Sequence, residues 1–209
     1  MGGRLEKWGR YYEKWRWYER NSLPWRRLAL HREFMRRDAY LRWPVNGNLL
    51  EAMRAGRMEI GRGSVLEPHC WISLLREGRL QIGEFTAINF GVFISVLHSV
   101  SIGSHTMIGN GSFISDGNHE YRDPVRPVPW QGFYTDGPVS IGDNCWIGVN
   151  SIVTSGVTIG DRCIVGANSV VTKDVPPYTL AAGVPARVIR EIEYGDASAQ
   201  AMAQAVGEA

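Results

Sequence analysis

The chain has 209 residues, 44% of them hydrophobic and 21% charged, so its composition is that of one ordinary globular domain with room for a small appendage. No apolar run approaches the roughly 18 residues of a membrane-spanning helix, and the charged, aromatic N-terminus lacks the apolar core of a signal peptide. The three cysteines, Cys70, Cys145 and Cys163, have no CxxC spacing. They therefore predict free thiols in a cytoplasmic protein rather than disulfides or a metal cluster.

Residues 1–57 form a basic, aromatic region. They hold 14 Lys and Arg against 6 Asp and Glu, a net charge of +8, whereas residues 58–209 carry a net charge of −6. Two helices are predicted here, the first from residues at helical spacing and the second at about 25–42, after Pro24. The residues at helical spacing are Leu5, Trp8, Tyr11, Tyr12, Trp15 and Tyr18.

Three roles stay open for this region. The region could pack on the rest of the domain or cover an oligomer. It could instead offer Trp and Tyr rings for stacking on a sugar acceptor. In the third role, residues 1–42 make peripheral contact with an anionic membrane at its inner face. Nucleic acid is not an expected partner, because only the net charge favours it.

A six-residue repeat occupies residues 58–190. Aliphatic residues recur every sixth position in five groups of three, and a small or β-branched residue follows most of them by four positions. The aliphatic positions are Ile60, Leu66, Ile72, Ile82, Ile88, Ile94, Ile102, Ile108, Ile114, Ile141, Ile147, Val153, Ile159, Val165 and Val171. This period fits short strands joined by corners, with three strands to an 18-residue coil. It predicts a mostly β solenoid of about five coils, in which Cys145 and Cys163 are inert core thiols, followed by a tail at 191–209 without assigned function.

The repeat is interrupted by residues 115–140. This insertion of 26 residues contains four prolines, so it is expected to be a stiff loop that projects from the solenoid, and such loops are commonly functional. His119 opens the loop and is a candidate general base, because imidazole accepts a proton readily near neutral pH. The neighbouring carboxylates of Asp116 and Glu120 either orient the imidazole ring or are simply solvated.

Four segments carry a resemblance to a known family: IGDNCWIG at 141–148, IGDRCIVGA at 159–167, VTKDVPP at 171–177 and AGVPARVIR at 182–190. They resemble the hexapeptide-repeat acyltransferases, in particular the sugar O-acetyltransferase branch that includes maltose and galactoside acetyltransferases. The resemblance covers about 58–190. It implies a left-handed parallel β-helix, a homotrimer and acetyl-CoA or another acyl-CoA as co-substrate. Zinc of the γ-carbonic anhydrase type is not expected, because no two histidines are five residues apart.

The resemblance also implies acceptor-site residues. The Asp-Gly-Asn-His stretch at 116–119 resembles the streptogramin acetyltransferase branch, whose catalytic histidine falls on His119. Asn89 matches an acceptor-contacting asparagine of the galactoside branch, although an asparagine at a positive-φ corner is the alternative. Leu97 stands where that branch has an acidic acceptor-binding residue, which argues against a simple galactoside acceptor. Together with three residues of the loop, this gives an expected acceptor set of Asn89, Asp116, Tyr121 and Trp130.

The implied donor site lies on the last coils. The residues expected there are Trp146, Ala167, Thr172, Lys173, Arg187 and Arg190. Lys173, Arg187 and Arg190 are placed to meet the CoA phosphates, with a solvated basic face as the alternative.

Together these features predict an acyl-CoA-dependent O-acyltransferase, most simply an acetyltransferase, that acts on a hydroxyl of a sugar, oligosaccharide or glycan. His119 would act as general base in a direct, ternary-complex transfer, since no nucleophile–base pair is visible. Two alternatives stay open: O-acetylation of an antibiotic of the streptogramin or chloramphenicol type, and a non-catalytic trimeric β-helix scaffold. Acetyl and a longer acyl group such as succinyl are not distinguished.

Overall fold

The computed structural model describes residues 23–75 and 77–193, so the aromatic helix predicted before Pro24 lies outside the described residues. The helices are α1 (Pro24–Met35), α2 (Leu49–Arg54) and a 3-10 helix (Val128–Trp130). The strands are β1 (Tyr40–Leu41), β2 (Asn46–Gly47), β3 (Met58–Ile60), β4 (Val65–Leu66), β5 (Trp71–Leu74), β6 (Arg79–Ile82), β7 (Ala87–Ile88), β8 (Phe93–Val96), β9 (Ser99–Ile102), β10 (Met107–Ile108), β11 (Phe113–Ser115), β12 (Asn118–His119), β13 (Phe133–Tyr134), β14 (Val139–Ile141), β15 (Trp146–Ile147), β16 (Ile152–Val153), β17 (Thr158–Ile159), β18 (Ile164–Val165), β19 (Val170–Val171), β20 (Thr179–Gly183) and β21 (Ala186–Glu191). In this part of the chain, no helix has the length and apolar composition of a membrane span.

Most strands belong to a parallel β-helix with three sheets. Sheet A has the order β1-β4-β7-β10-β15-β18-β20-β21, sheet B the order β2-β5-β8-β11-β16-β19 and sheet C the order β3-β6-β9-β14-β17. Each of five complete coils contributes one strand to each sheet. All fifteen repeat aliphatics are buried in the interior, together with the small residues that follow them. The predicted solenoid is therefore confirmed.

Glycines at the corners allow successive coils to approach closely. A Cβ atom added to Gly148 would lie 2.5 Å from the main-chain nitrogen of Ala167 and 2.7 Å from the carbonyl oxygen of Val165 in the next coil. The Gly148 N–H also donates to that Val165 carbonyl, at 2.8 Å. A side chain at this position would therefore push apart two coils that are hydrogen-bonded to each other.

We expect Gly148→Ala to lower the free energy of unfolding by about 3 kcal/mol or more, because the added methyl group meets main-chain atoms that cannot move aside. Gly56→Ala is the matched control, since nothing lies within 4 Å of a Cβ atom there and only its φ of +65° is unfavourable. That control should cost about 1 kcal/mol. Urea unfolding followed by circular dichroism checks both values, and equal costs would contradict the close-approach argument.

The β-helix begins earlier than the sequence pattern indicated. The second predicted helix, at about 25–42, ends at Met35 in the structure, and β1 and β2 then pair with β4 and β5 as part of a further coil. Gly47 takes the inward position six residues after Leu41, and its φ of +105° and its contact with the Ile72 carbonyl leave no room for an aliphatic side chain. Helix α2 follows and closes the end of the solenoid with buried side chains.

The outward faces of the three sheets differ in polarity. Sheet C presents a polar row: Glu59, Gln81, Ser101, Ser140 and Thr158. Sheet A presents a mostly apolar row: Tyr40, Val65, Ala87, Met107, Trp146 and Ile164. Sheet B presents a largely aromatic and aliphatic row: Trp71, Phe93, Phe113, Ile152 and Val170. Sheets A and B thus carry apolar outer surface, which monomeric proteins seldom leave uncovered over a large area.

Candidate active site

A short hairpin projects from the solenoid between β11 and β14. Its strands, β12 and β13, pair antiparallel, with Asn118 opposite Tyr134 and His119 opposite Phe133. The loop does not disturb the coils, because β14 resumes its place beside β9 with Ile141 opposite Ile102. The predicted projecting loop is thus present, and it contains an ordered antiparallel pair that the sequence analysis did not anticipate.

The base of this hairpin is tied to the body of the β-helix by a polar network. The Asn118 side-chain amide donates to the carboxylate of Asp136 and to the hydroxyl of Ser155, both at 3.1 Å. The Ser155 hydroxyl donates to the Asp136 carboxylate at 3.1 Å and accepts the Asp136 main-chain N–H at 2.9 Å. Sequence analysis missed this network because its members are far apart in the chain. It fixes the residue immediately before His119.

His119 lies on the exposed side of the hairpin. Its ring packs on Phe133, with ring centroids 4.6 Å apart and the ring planes 42° apart. Among the residues that the structure describes, no side chain forms a hydrogen bond with the imidazole, so packing on Phe133 is what orients it. An exposed and oriented imidazole on an anchored hairpin can accept a proton from a bound hydroxyl.

Asp116 has a structural role, and its side chain is not accessible to an acceptor. The residue is fully buried. One carboxylate oxygen accepts the main-chain N–H of Leu97 at 2.6 Å, and the other accepts those of His98 and Ser99 at 2.7 and 2.6 Å. The prediction that Asp116 binds the acceptor is therefore wrong, and so is the alternative that it orients His119. Its carboxylate instead stabilises the corner between β8 and β9 in the preceding coil.

Glu120 does not orient the histidine ring either. Its carboxylate accepts two hydrogen bonds from the Arg122 guanidinium, at 2.8 and 2.9 Å. These bonds lower the pKa of Glu120. Arg122 in turn lies over the Tyr134 ring, 4.5 Å from its centroid. Arg122, and not His119, is therefore the partner of the Glu120 carboxylate.

Tyr121 and Trp130 lie on the outer part of the loop, and both side chains are exposed. Trp130 ends the 3-10 helix, while the Gln131 amide bridges the loop by donating to the Asp123 and Arg126 carbonyl oxygens. The structure thus leaves the rings of Tyr121 and Trp130 accessible, and their role in acceptor binding stays a prediction.

Asn89 lies at the corner between sheets A and B. The φ of Asn89 is not positive, so the alternative of an asparagine in a left-handed conformation at the corner is wrong. The left-handed residue of this corner is Gly91, with a φ of +69°. The Asn89 carbonyl accepts the Val92 N–H at 3.3 Å, and its half-buried side chain is left for other contacts. The acceptor-binding role therefore stays a prediction.

The predicted donor residues lie at the C-terminal end of the β-helix. Trp146 is half-exposed on sheet A, and Ala167 is exposed at the corner between sheets A and B. Arg187 and Arg190 are exposed on β21, with guanidinium bonds only to carbonyl oxygens of Ala186 and Glu191 among the described contacts. Their charges are thus available to a phosphate.

Five of the predicted site residues lie at two different edges of the prism. His119 and the Thr172–Lys173 pair follow strands β11 and β19 of sheet B, at its edge toward sheet C. Asn89 and Ala167 lie at the opposite edge, where sheet A meets sheet B. Because several residues of extended strand separate these edges, one copy of the chain does not bring all the predicted residues together.

The three cysteines lie inside the β-helix. All are buried free thiols. Burial raises the pKa of Cys70 to about 12, and the thiols of Cys145 and Cys163 donate to the carbonyl oxygens of Gly160 and Pro176, at 3.1 and 2.9 Å. The prediction that Cys145 and Cys163 are core thiols agrees with this burial. In the part of the chain that the structure describes, no group of three or more His, Cys, Asp or Glu side chains is arranged to hold a metal ion.

We expect the native protein to react with less than about 0.1 equivalent of Ellman's reagent at pH 8, because all three thiols are buried and the reagent cannot reach them. All three thiols should react once the chain is unfolded in guanidinium chloride. Absorbance at saturating reagent measures both numbers. Rapid reaction of one native thiol would show that the interior opens at that coil.

Comparisons with known proteins define the class of this protein. A family model described as "Hexapeptide repeat of succinyl-transferase" matches residues 138–173. Nodulation protein L of Rhizobium meliloti is 40% identical over 138 residues, which cover 65% of this chain and 72% of that protein. The chain belongs to the hexapeptide-repeat acyltransferase family.

Named enzymes are among the similar proteins. Galactoside O-acetyltransferase of Escherichia coli is 37% identical over 137 residues, which are 66% of this chain and 65% of that protein, so the chain spans slightly less than two thirds of this relative. A hexapeptide-repeat acetyltransferase of Vibrio cholerae, solved in complex with acetyl coenzyme A, is 28% identical with a TM-score of 0.55, over 83% of this chain and 92% of that one.

Proposed function

We propose that this protein is an acetyl-CoA-dependent O-acetyltransferase that modifies a hydroxyl group of a sugar, oligosaccharide or glycan. The observation that carries the proposal is His119, an exposed imidazole on a hairpin that is anchored to a β-helix of this family. Similarity to a galactoside O-acetyltransferase and to an acetyl-CoA complex supports the same reaction class.

The proposed chemistry is a single direct transfer. The His119 imidazole takes the proton of the acceptor hydroxyl as the oxygen attacks the thioester carbonyl, and a C–O bond forms. The C–S bond then breaks, and the imidazolium returns the proton to the departing CoA thiolate. The products are an acetyl ester and free CoA. The three cysteines are buried away from this hairpin, which supports transfer without an acyl-enzyme.

For the donor we propose a binding site made by the last coils, with Trp146, Ala167 and the Thr172–Lys173 pair along the pantetheine arm. Arg187 and Arg190 would meet the phosphates, since no carboxylate among the described contacts neutralises them.

Free thiols throughout the interior support a reducing, cytoplasmic setting for such an enzyme.

The active unit we propose is a homotrimer. Its support is the division of the site residues between two edges, which a neighbouring copy can reunite by placing its Asn89–Ala167 edge against the His119 edge. The apolar outer rows of sheets A and B provide surface for such packing, whereas the polar row of sheet C suits solvent. The number three follows from the family resemblance.

The acceptor we propose is a sugar whose reacting hydroxyl lies beside the His119 ring. Exposed Tyr121 and Trp130 offer rings for stacking on a sugar face. Leu97, nearly buried at the corner that Asp116 holds, replaces the acidic residue that the galactoside branch carries there. This supports an acceptor larger or less polar than a simple galactoside.

The test is thiol release from acetyl-CoA and from succinyl-CoA across a panel of monosaccharides, oligosaccharides and hydroxylated antibiotics. Ellman's reagent is suitable because the protein's own thiols are buried. Acceleration by a saccharide with acetyl-CoA supports the proposal. Turnover only with an antibiotic would show that the acceptor is an antibiotic and not a sugar. Failure to bind either acyl-CoA would favour the alternative of a non-catalytic β-helix scaffold.

A further inference from the structure

Helix α1 has one buried and one exposed side. Leu30 and Phe34 are fully buried where α1 contacts α2 and β1 at the N-terminal end of the β-helix. Trp25, Leu28 and Met35, which recur at intervals of three and seven residues on the opposite side, are 67%, 51% and 63% exposed. A 12-residue helix thus holds three large apolar side chains in solvent while two others anchor it.

The helix that carries this exposed side is also basic. Residues 24–38 contain five arginines against two acidic residues, a net charge of +3. Arg26 forms an ion pair with Glu51 of α2. Arg36 and Arg37 share the single carboxylate of Glu33, at 3.2 and 2.8 Å, so the ion pairs of this helix leave part of its positive charge uncompensated. Arg32 lies between Leu28 and Met35 on the exposed side, where its guanidinium is free to reach beyond the apolar side chains.

A recess adjoins this side of the helix. It has a volume of about 480 Å³ and opens between α1 and the first strands of sheet A. Its walls are mostly apolar and include Phe34, Met35, Leu41 and Val65. Met35 therefore belongs both to the exposed side of α1 and to the wall of a concavity large enough for an apolar group.

We infer that the exposed side of α1, with Trp25, Leu28 and Met35 at its centre and Arg32 and Arg36 beside them, is a contact surface for an anionic lipid bilayer. Three observations support this occupant. Trp, Leu and Met fit the boundary between headgroups and acyl chains, the arginines match the negative potential of anionic lipid, and the adjoining recess adds apolar surface beside Met35. A second copy of this chain fits poorly, because the arginines of two such surfaces repel each other.

This contact goes beyond the proposed transferase activity and does not depend on it. In the proposed homotrimer, three copies of α1 would lie at the same end of three parallel β-helices and would bind one membrane together, which strengthens weak single contacts. The assignment of the exposed side of α1 as the lipid-binding surface does not depend on trimer formation. A failure of lipid binding and a failure of acetyl transfer would thus be observed separately.

The experiment is co-sedimentation of the full-length protein with vesicles of phosphatidylcholine alone and with about 30% phosphatidylglycerol. We expect binding to the anionic vesicles only, with weakening as salt rises from ~0.1 M to ~0.5 M. The double variant Trp25→Ser, Leu28→Ser should bind at least about tenfold more weakly. Because both side chains are exposed, its thermal unfolding should match that of the wild type.

The matched control is Val125→Ser, Val184→Ser, which removes two side chains that are 90% and 72% exposed elsewhere on the surface. It should bind vesicles as the wild type does. Absence of wild-type binding, equal binding to neutral vesicles, or undiminished binding of the α1 variant would each overturn the inference. The last result would place the contact on another part of the chain.

Discussion

Replacing Asp116 with alanine should lower the free energy of unfolding by about 3 to 5 kcal/mol, one of the two largest effects expected in this molecule. The reason is that Asp116 is fully buried and accepts three main-chain N–H groups of the preceding coil. Without the carboxylate, these donors are left without partners inside the protein. Urea unfolding followed by circular dichroism measures the loss.

Asp123→Ala provides the matched control. The Asp123 carboxylate also accepts main-chain N–H groups, those of Val125 and Arg126 at 2.9 and 3.2 Å, but it lies on the exposed loop. Water can replace it, so the cost should stay below about 1 kcal/mol. Equal stability of the two variants would contradict the structural role of Asp116. If Asp116→Ala instead lost activity at full stability, its role in acceptor binding would have to be restored.

The second large effect concerns His119. We expect His119→Ala to lower kcat by about 10²- to 10⁴-fold, because the acceptor hydroxyl would lose its general base. Affinity for acetyl-CoA should change by less than about twofold, since the proposed donor residues lie on other coils. Steady-state thiol release gives kcat, and calorimetric titration gives the dissociation constant for acetyl-CoA.

The control for this variant is His105→Asn. His105 is an exposed histidine at another corner, where its ring stacks on Phe85 with centroids 5.4 Å apart. Asparagine tolerates its φ of +56°, so the fold should be kept. Its activity should equal that of the wild type. Near-normal turnover by His119→Ala would show that another group removes the proton.

The coils were predictable because each inward position repeats the same requirement. Every sixth residue must be aliphatic to fill the interior, and residues such as Ile141 and Ile147 satisfy that rule locally. The additional N-terminal coil escaped prediction for a physical reason. Gly47 occupies an inward position with a left-handed φ and close contact to the next coil, so the aliphatic signal is missing where the strand is present.

The site was predictable only in part. His119 could be selected because a break in a strict repeat is visible in sequence, and its role stays a prediction. The structure of its surroundings depends on contacts between coils: Asn118 bonds to Ser155, 37 residues later, and Asp116 to the N–H of Leu97, 19 residues earlier. The repeat fixes which residues face inward, but not which polar groups meet around an insertion.

Transfer of isotope-labelled acetyl groups tests the central proposal most directly. The wild-type protein is incubated with labelled acetyl-CoA and the best saccharide of the panel, and label is then measured separately in the saccharide and in the protein. We predict label in an ester of one saccharide hydroxyl, none bound to the protein, and loss of the labelled product with His119→Ala. Label retained covalently on the protein, or a saccharide left unlabelled while acetyl-CoA is bound, would contradict direct transfer to a sugar hydroxyl.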